Sequence, residues 1–240
     1  TDMIILGIEA AAKVAGAAVY RDGQIVAEQM VGGTLTHSET LMPMVDSVLR
    51  QAQVQPEELT AIALDEGPGS FTGLRIGAAT AKGLALGLQI PLAPIGTLTA
   101  LAANIAPTDR LIVPMMDARR GQVYTAVYRY QGESMEEIMA PEALPPEALA
   151  QKLNELALPA ILVGDGAPVY CEKLQNLTEK SVMLAPAQLC HASAGTVAAL
   201  GAKLCEAGKT IPGGSLQLEY LRKPQAERER EERLAAEAGK

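Results

Sequence analysis

The glycine-rich segment GPGSFTGLRIG, at residues 67–77, is the part of the chain whose residue types are best suited to binding chemistry. It follows a short apolar run, and Gly67 and Gly69 can adopt the positive φ angles that a sharp strand-to-helix turn requires. Ser70 or Thr72 can then cap the new helix. Free amides at a helix N-terminus attract anions, so the segment predicts a candidate anion site. It is not a Walker A loop, because no G-x-x-x-x-G-K-[ST] pattern is present.

Charged residues lie beside this segment and at the end of a later predicted strand. Asp65 and Glu66 stand directly before the turn, where they would repel an anion but could accept an arginine from another chain. Asp117 and Arg119 follow a strand, and charged groups at the carboxyl end of a strand often face a cleft. An ion pair with a purely structural role is an equally good interpretation.

The histidines and cysteines do not indicate metal or nucleophilic chemistry. His37 and His191 are the two histidines, far apart in the sequence and without Asp or Cys at ligand spacing. The three cysteines show no C-x-x-C spacing. We therefore expect no metal site, no catalytic triad and no disulfide framework.

The composition argues against a protein that contacts nucleic acid on its own. The 240 residues include 20 Lys and Arg against 28 Asp and Glu, a net charge of −8, and 3% aromatic residues. Phosphate backbones are bound by clustered basic groups and bases by aromatic side chains. The sequence also has no long uncharged apolar run and no basic leader, so we expect a cytoplasmic chain without membrane contact.

The predicted elements form two series in the same order. Apolar runs and turn residues predict a β-β-β-α-β-α-β-α lobe over residues 1–106, and it carries the helices on either side of the glycine segment. A similar series follows over residues 107–223, with a last long helix, predicted over residues 189–206, that can pack back on the first lobe. Residues 224–240 predict a charged helix or tail. The chain is therefore expected to be a two-lobed α/β protein with duplicated mixed sheets.

Two helices of the first lobe carry stripes whose contacts the periodicity leaves open. A helix predicted over residues 36–53 has apolar residues at helical spacing: Leu41, Met42, Val45 and Leu49. The helix after the glycine turn has small residues at every fourth position, which allow another backbone to approach closely: Gly73, Gly77 and Ala81. Each stripe can face the chain's own sheet or a second protein.

Four segments are informative when taken together: HSETLMP at residues 37–43, the glycine segment at 67–77, DARRGQVY at 117–124 and YLRK at 220–223. In order and spacing they resemble the bacterial TsaB family, formerly called YeaZ, over nearly the whole chain. That family has the actin-like fold (ASKHA) shared by sugar kinases and Hsp70 ATPases, which agrees with the two predicted lobes.

The resemblance implies a role in forming N6-threonylcarbamoyladenosine at position 37 of tRNAs that read codons beginning with A. It implies a non-catalytic subunit that supports the transferase TsaD as a heterodimer and that forms a homodimer when alone. The ATPase TsaE would be a further component, and tRNA would be met only through the complex.

Two departures from the patterns of this protein class agree with a non-catalytic role. TsaD carries an N-H-x-x-G-H metal motif where this chain reads GTLTAL, with Thr97 and Leu101 at the ligand positions. Neither residue binds iron or zinc well. TsaB relatives often read Asp-Thr-Ala-Thr after the first strand, whereas this chain reads EAAA at residues 9–12. The alternative reading is an ATP-dependent small-molecule kinase or ATPase of the same fold, suggested by the two lobes and the glycine turn.

The resemblance also assigns sites. It places partner contacts on the two helices beside the glycine strand, at Leu41, Met42, Val45, Leu49, Gly73, Gly77 and Ala81. Candidate residues that face an anion or nucleotide in the assembled complex are Gly67, Gly69, Ser70, Thr72, Arg75, Asp117 and Arg119. No cofactor is expected on this chain alone, and ATP or ADP would lie at the joint interface of the complex.

Overall fold

A computed structural model describes residues 2–32 and 36–221 of the chain. The charged helix predicted at residues 224–240, and Arg222 and Lys223 of the YLRK segment, lie outside the described residues. Two five-stranded mixed sheets organise the fold.

The first sheet has the strand order β3-β2-β1-β4-β5. Its strands are β1 (Ile4–Glu9), β2 (Val14–Arg21), β3 (Gln24–Gly32), β4 (Ala61–Gly67) and β5 (Leu92–Gly96). Strands β1, β2 and β3 form an antiparallel meander, and an Asp22-Gly23 turn joins the last two with a positive φ at both residues. Strand β4 pairs in parallel with both β1 and β5.

The second sheet repeats this plan. Its strands are β6 (Leu111–Asp117), β7 (Val123–Gln131), β8 (Ser134–Leu144), β9 (Ala160–Val163) and β10 (Val182–Leu184). The order β10-β9-β6-β7-β8 again places an antiparallel meander on one side of the first strand and parallel strands on the other. The prediction of duplicated mixed sheets is therefore confirmed.

Six α-helices connect and cover the strands. They are α1 (His37–Ala52), α2 (Phe71–Leu88), α3 (Thr97–Ala103), α4 (Pro146–Leu156), α5 (Ala167–Leu177) and α6 (Ala194–Glu206). At the start of α1 the carboxylate of Glu39 accepts the backbone N–H of Thr36 at 2.9 Å, as in a capping box. The predicted helix at residues 189–206 begins later, because Ser193 accepts the N–H of Thr196 at 3.1 Å and caps α6 there.

The first sheet is covered on both faces. Alternate residues of β1, including Leu6 and Ile8, pack with α1 and α2 in one core cluster. Ile5, on the opposite face of the strand, packs with Val197 and Ala198 of α6 in another. Helix α6 follows the second sheet in sequence but packs against the first.

The structure corrects most of the predicted partner contacts. Three members of the α1 stripe and all three of the α2 stripe are buried in this chain: Leu41, Val45, Leu49, Gly73, Gly77 and Ala81. The stripes face the chain's own sheet, because one face of each helix must cover the apolar side of β1 and β4. Met42, which is 47% exposed, is the member that faces outward.

Among the helices of residues 2–32 and 36–221, none is both long and apolar enough to cross a lipid bilayer.

Candidate functional site

A cleft of about 660 Å³ opens where four segments meet. Two of them are the first turn, residues 10–13 between β1 and β2, and the glycine turn, residues 67–70, with the start of α2. The others are the end of β6 with the residues that follow it and the C-terminal strap, residues 216–221. These residues line the cleft: Ala11, Ala12, Lys13, His37, Pro68, Gly69, Ser70, Phe71, Thr72, Met116, Asp117, Ala118, Arg119, Tyr124, Asp165, Glu219, Tyr220 and Leu221.

Five of the seven candidate anion-facing residues line this cleft: Gly69, Ser70, Thr72, Asp117 and Arg119. Whether they meet a ligand stays a prediction. The other two have structural contacts instead, and they do not line it.

The C-terminal strap contacts both Gly67 and Arg75. Gly67 has a φ of 125°, and a Cβ atom there would overlap the carbonyl oxygen of Glu219. The guanidinium carbon of Arg75 lies 3.7 Å from the ring centroid of Phe71, and its Nε lies 3.4 Å from the hydroxyl of Tyr220. Arg75 therefore stabilises the strap and is not aimed at the cleft.

The glycine turn is held against the first turn by backbone contacts. The N–H of Ser70 donates to the carbonyl of Ala11 at 2.7 Å, and the hydroxyl of Ser70 accepts the N–H of Gly73 at 3.3 Å. A Cβ atom at Gly73 would overlap the carbonyl oxygen of Ala10, so only glycine permits this close approach. The N–H groups of Ser70 and Gly73, at the helix N-terminus where the sequence predicted an anion site, therefore already donate within the chain.

The carboxyl pair, Glu9 and Asp65, lies beneath the first turn. The two residues follow Ile8 and Leu64, which are partners in the parallel pairing of β1 with β4. Both are buried, at 0% and 3% exposure. One oxygen of Glu9 accepts the N–H of Ala11 at 3.0 Å and that of Ala12 at 3.2 Å.

Asp65 completes this arrangement. Its Oδ1 accepts the N–H of Ala10 at 2.9 Å, so three successive amides of the first turn donate to the carboxyl pair. The second oxygen of each side chain, Glu9 Oε2 and Asp65 Oδ2, is buried without a hydrogen-bond partner. Two buried carboxyl groups in this state disfavour full ionisation.

The pKa values of the pair follow from this burial. Loss of solvent raises the pKa of Glu9 well above its ordinary value, and the negative charge of Asp65 raises it further. Loss of solvent also raises the pKa of Asp65 to about 7, although the N–H of Ala10 opposes the change. Near neutral pH the pair therefore retains a proton.

The walls of the cleft carry more acidic than basic groups. Asp117, Asp165 and Glu219 line it, and Lys13 and Arg119 are the lysine and arginine among the lining residues. Asp117 accepts the N–H of Arg119 at 2.8 Å and donates its own N–H to Asp165 at 3.3 Å, so these residues also order the turn after β6.

His37, at the start of α1, serves the first turn. Its Nε2 donates to the carbonyl oxygen of Ala12 at 2.9 Å. This contact ties the helix to the turn. Within the described residues, no group of three or more His, Cys, Asp and Glu side chains could hold a metal ion.

Sequence reasoning missed several lining residues. Asp165 follows the parallel strand β9, so its position at a carboxyl strand end was a usable signal. Lys13 and Glu219 carried no such signal, because their position depends on how the first turn and the C-terminal strap fold back.

Comparisons with known proteins agree with this geometry. A family model described as TsaD, tRNA N6-adenosine threonylcarbamoyltransferase, matches residues 27–228. The "tRNA threonylcarbamoyladenosine biosynthesis protein TsaB" of Bacillus subtilis is 34% identical over 73% of this chain and 76% of its own length. The protein of the same name from Escherichia coli is 28% identical over 92% of this chain and 95% of its own length.

This chain belongs to the TsaB family.

A solved structure of YeaZ from Pseudomonas aeruginosa supports the assignment with a TM-score of 0.78 at 26% identity, covering 91% of this chain and all of that chain. A ROK hexokinase from Thermus thermophilus shares the fold alone, with a TM-score of 0.51 at 14% identity, over 84% of this chain and 100% of its own. The expected actin-like fold is therefore confirmed for this TsaB-family chain.

The positions compared with the TsaD metal motif lie inside the protein. Thr97 and Leu101 belong to α3 and are 0% and 3% exposed. Leu101 packs with Leu98 and Ile112 in a core cluster. In this TsaB-family chain the segment is therefore part of the packed interior.

The nucleotide that the actin-like fold implies does not fit the first turn of this TsaB-family chain. Phosphates are held by free backbone amides and by positive charge. Here the amides of residues 10–12 already donate to Glu9 and Asp65, and the cleft walls add Asp117, Asp165 and Glu219. The same arrangement argues against the alternative of a kinase or ATPase.

Proposed function

We propose that this chain is a non-catalytic subunit that stabilises and activates a TsaD-type transferase during the formation of N6-threonylcarbamoyladenosine at position 37 of tRNA. Relatives that share most of its length are named as biosynthesis proteins of this modification. The observation that carries the non-catalytic part is the filled first turn, where three successive amides donate to buried carboxyl groups of the chain itself.

The outer faces of α1 and α2 are proposed as the contact with the partner. Met42 on α1 is 47% exposed and Leu86 on α2 is 65% exposed. Gly83 and Gly87, one turn apart on α2, are exposed, and a Cβ atom at either would meet nothing within 4 Å. Small residues on an exposed helix face allow a second helix to approach closely.

The proposed partners follow from this surface and from the charge of the chain. The outer faces would contact the TsaD paralogue in a heterodimer and a second copy of this chain in a homodimer when the paralogue is absent. TsaE would be a further component in the cytoplasm. With a net charge of −8, this chain would meet tRNA only through the complex. ATP or ADP would lie at the joint interface.

A reconstituted reaction tests the proposal. The TsaD-type partner is incubated with tRNA and the threonylcarbamoyl adenylate, with and without this chain, and modified adenosine is measured. We expect slow modification by the partner alone, faster modification when the chain is added, and none with the chain and no partner. Equal rates with and without the chain would refute the activating role, and modification by the chain alone would refute the non-catalytic role.

A further inference from the structure

The first turn presents the kind of amide cradle that holds anions in other proteins. Successive N–H groups that point to one side of a turn form a concave site with positive potential. At residues 10–12 all three N–H groups converge on the carboxyl pair, Ala10 on Asp65 and both Ala11 and Ala12 on Glu9, with donor–acceptor distances between 2.9 and 3.2 Å.

Glu9 makes the larger contribution to filling this cradle. A single oxygen of its side chain accepts two of the three amides, and the side chain is fully buried at the end of β1. Ser70, across the glycine turn, gives its amide to Ala11 and so offers no replacement donor on that side. A phosphate would have to displace Glu9 to reach these amides.

The charged groups around the turn reinforce this exclusion. Glu9 faces Asp65 on β4, and the negative charge of Asp165 after β9 acts on it as well. Lys13 on the same turn and Glu219 on the C-terminal strap line the adjoining cleft. Asp117 at the end of β6 and Arg119 just after it also line the cleft, while His37 on α1 is bound to Ala12. A polyanion that entered would face the acidic side chains of Asp117, Asp165 and Glu219. Lys13 and Arg119 are the lysine and arginine that line the same cleft.

We propose that the Glu9 side chain is an internal acceptor that fills the phosphate position of the first turn and so determines that this chain excludes nucleotides. Asp65 is a positioning residue in this proposal, because it holds the Ala10 amide and lies beside Glu9. Residue 9 is thus a specificity determinant that distinguishes this chain from nucleotide-binding members of the same fold.

Two substitutions at residue 9 separate occupancy of the amides from the ability of the side chain to ionise. Glu9→Gln replaces the carboxyl group by a neutral amide that cannot ionise, but it keeps an oxygen that accepts the N–H groups of Ala11 and Ala12. Glu9→Ala removes the carboxyl group and its acceptor oxygen, which leaves these N–H groups free. The proposal attributes exclusion to occupancy, so only the second substitution should open the cradle.

Calorimetric titration of the full-length chain with Mg·ATP and with Mg·ADP tests the proposal. We expect no saturable binding by the wild-type chain or by Glu9→Gln. Glu9→Ala should show saturable binding, with an affinity at least about tenfold above any that the wild-type chain shows, the effect of regaining charge-assisted hydrogen bonds to the phosphates. Circular dichroism checks that each variant is folded.

A second variant keeps the test decisive if Glu9→Ala does not fold. Glu9→Leu fills the buried space with an apolar side chain that accepts no hydrogen bond, so it frees the same N–H groups and should also gain binding. Saturable wild-type binding as tight as that of either variant would overturn the proposal. So would the absence of any gain in the folded variants. These results concern the isolated chain, so they are independent of whether the chain activates its partner in the reconstituted reaction.

Discussion

The backbone N–H of Glu219 donates to the carbonyl oxygen of Glu66 at 2.7 Å, and this bond ties the C-terminal strap to the end of β4. The strap is fixed at three further points. Lys82 of α2 donates to the carbonyl of Leu216 at 3.0 Å, and the ring centroid of Tyr220 lies 5.3 Å from that of Phe71. The side chain of Leu216 is buried in the core cluster that contains Leu6 and Ile8. One wall of the cleft is therefore built by the last described residues.

Because the C-terminal strap lies against Gly67, we expect a methyl group at this residue to destabilise the folded chain strongly. We expect Gly67→Ala to lower the free energy of unfolding by about 3 kcal/mol or more, because the positive φ and the overlap with Glu219 add together. Gly132→Ala is the matched control. Its φ of 63° is also positive, but nothing lies within 4 Å of a new Cβ atom, so a loss of about 1 kcal/mol is expected. Urea denaturation measures both, and equal losses would contradict the account.

The two sides of α2 should respond oppositely to the same substitution. Gly73→Ala places a methyl group against the carbonyl of Ala10 and should destabilise the chain by about 2 kcal/mol. Gly83→Ala adds a better helix former in open space and should stabilise it by up to about 1 kcal/mol. Thermal unfolding should therefore show shifts of opposite sign. A destabilising Gly83→Ala would show that this face is not open.

The outward face of α1 and α2 should govern association and not folding. Gly83→Leu and Met42→Asp are expected to leave the circular dichroism spectrum unchanged while weakening the complex with the TsaD-type partner, because they block close approach or place a charge in the contact. Light scattering measures the mass of the mixture.

Val45→Asp is the contrasting variant on α1. Val45 is 2% exposed and belongs to the core cluster that contains Leu6 and Ile8, so a carboxylate there should unfold the chain. If Val45→Asp stayed folded and only lost its partner, the inward placement of this residue would be wrong. If the Gly83→Leu and Met42→Asp variants kept full association, the proposed contact surface would be wrong.

The carboxyl pair predicts how stability depends on pH. Because the folded-state pKa of Asp65 rises from 3.8 to about 7 and that of Glu9 also rises, the folded chain binds more protons than the unfolded chain above pH 4. The contribution of the pair is therefore complete near pH 4 and is lost as the pH rises through 7. We expect Asp65→Asn to reduce this fall in stability, measured by urea denaturation at several pH values. An unchanged slope would show that the pair does not hold the proton.

The sequence predicted the elements better than their outward faces. The order of elements in the first lobe, β-β-β-α-β-α-β-α, was predicted as it is observed, because apolar runs and turn residues are local signals. The stripes of α1 and α2 were also real, but periodicity does not say whether a face meets the chain's own sheet. The assignment of Val45 and Gly77 to a partner was wrong for that reason.

The carboxyl pair shows a second limit of sequence reasoning. Glu9 was visible as a departure from the expected Asp, and Asp65 as an acid before the glycine turn. Their meeting depends on the parallel register of β1 with β4, which pairs Ile8 with Leu64 across a long sequence separation. No local pattern encodes that register, so the filling of the first turn emerged only with the three-dimensional structure.

The stoichiometry of stimulation tests the central claim most directly. This chain is titrated into a fixed amount of the TsaD-type partner, and the rate of tRNA threonylcarbamoylation is followed at each point. A non-catalytic subunit acts only within the complex, so the rate should rise until the two proteins are equimolar and then stay constant. Full stimulation by a small fraction of an equivalent, as a catalyst would give, would contradict the account.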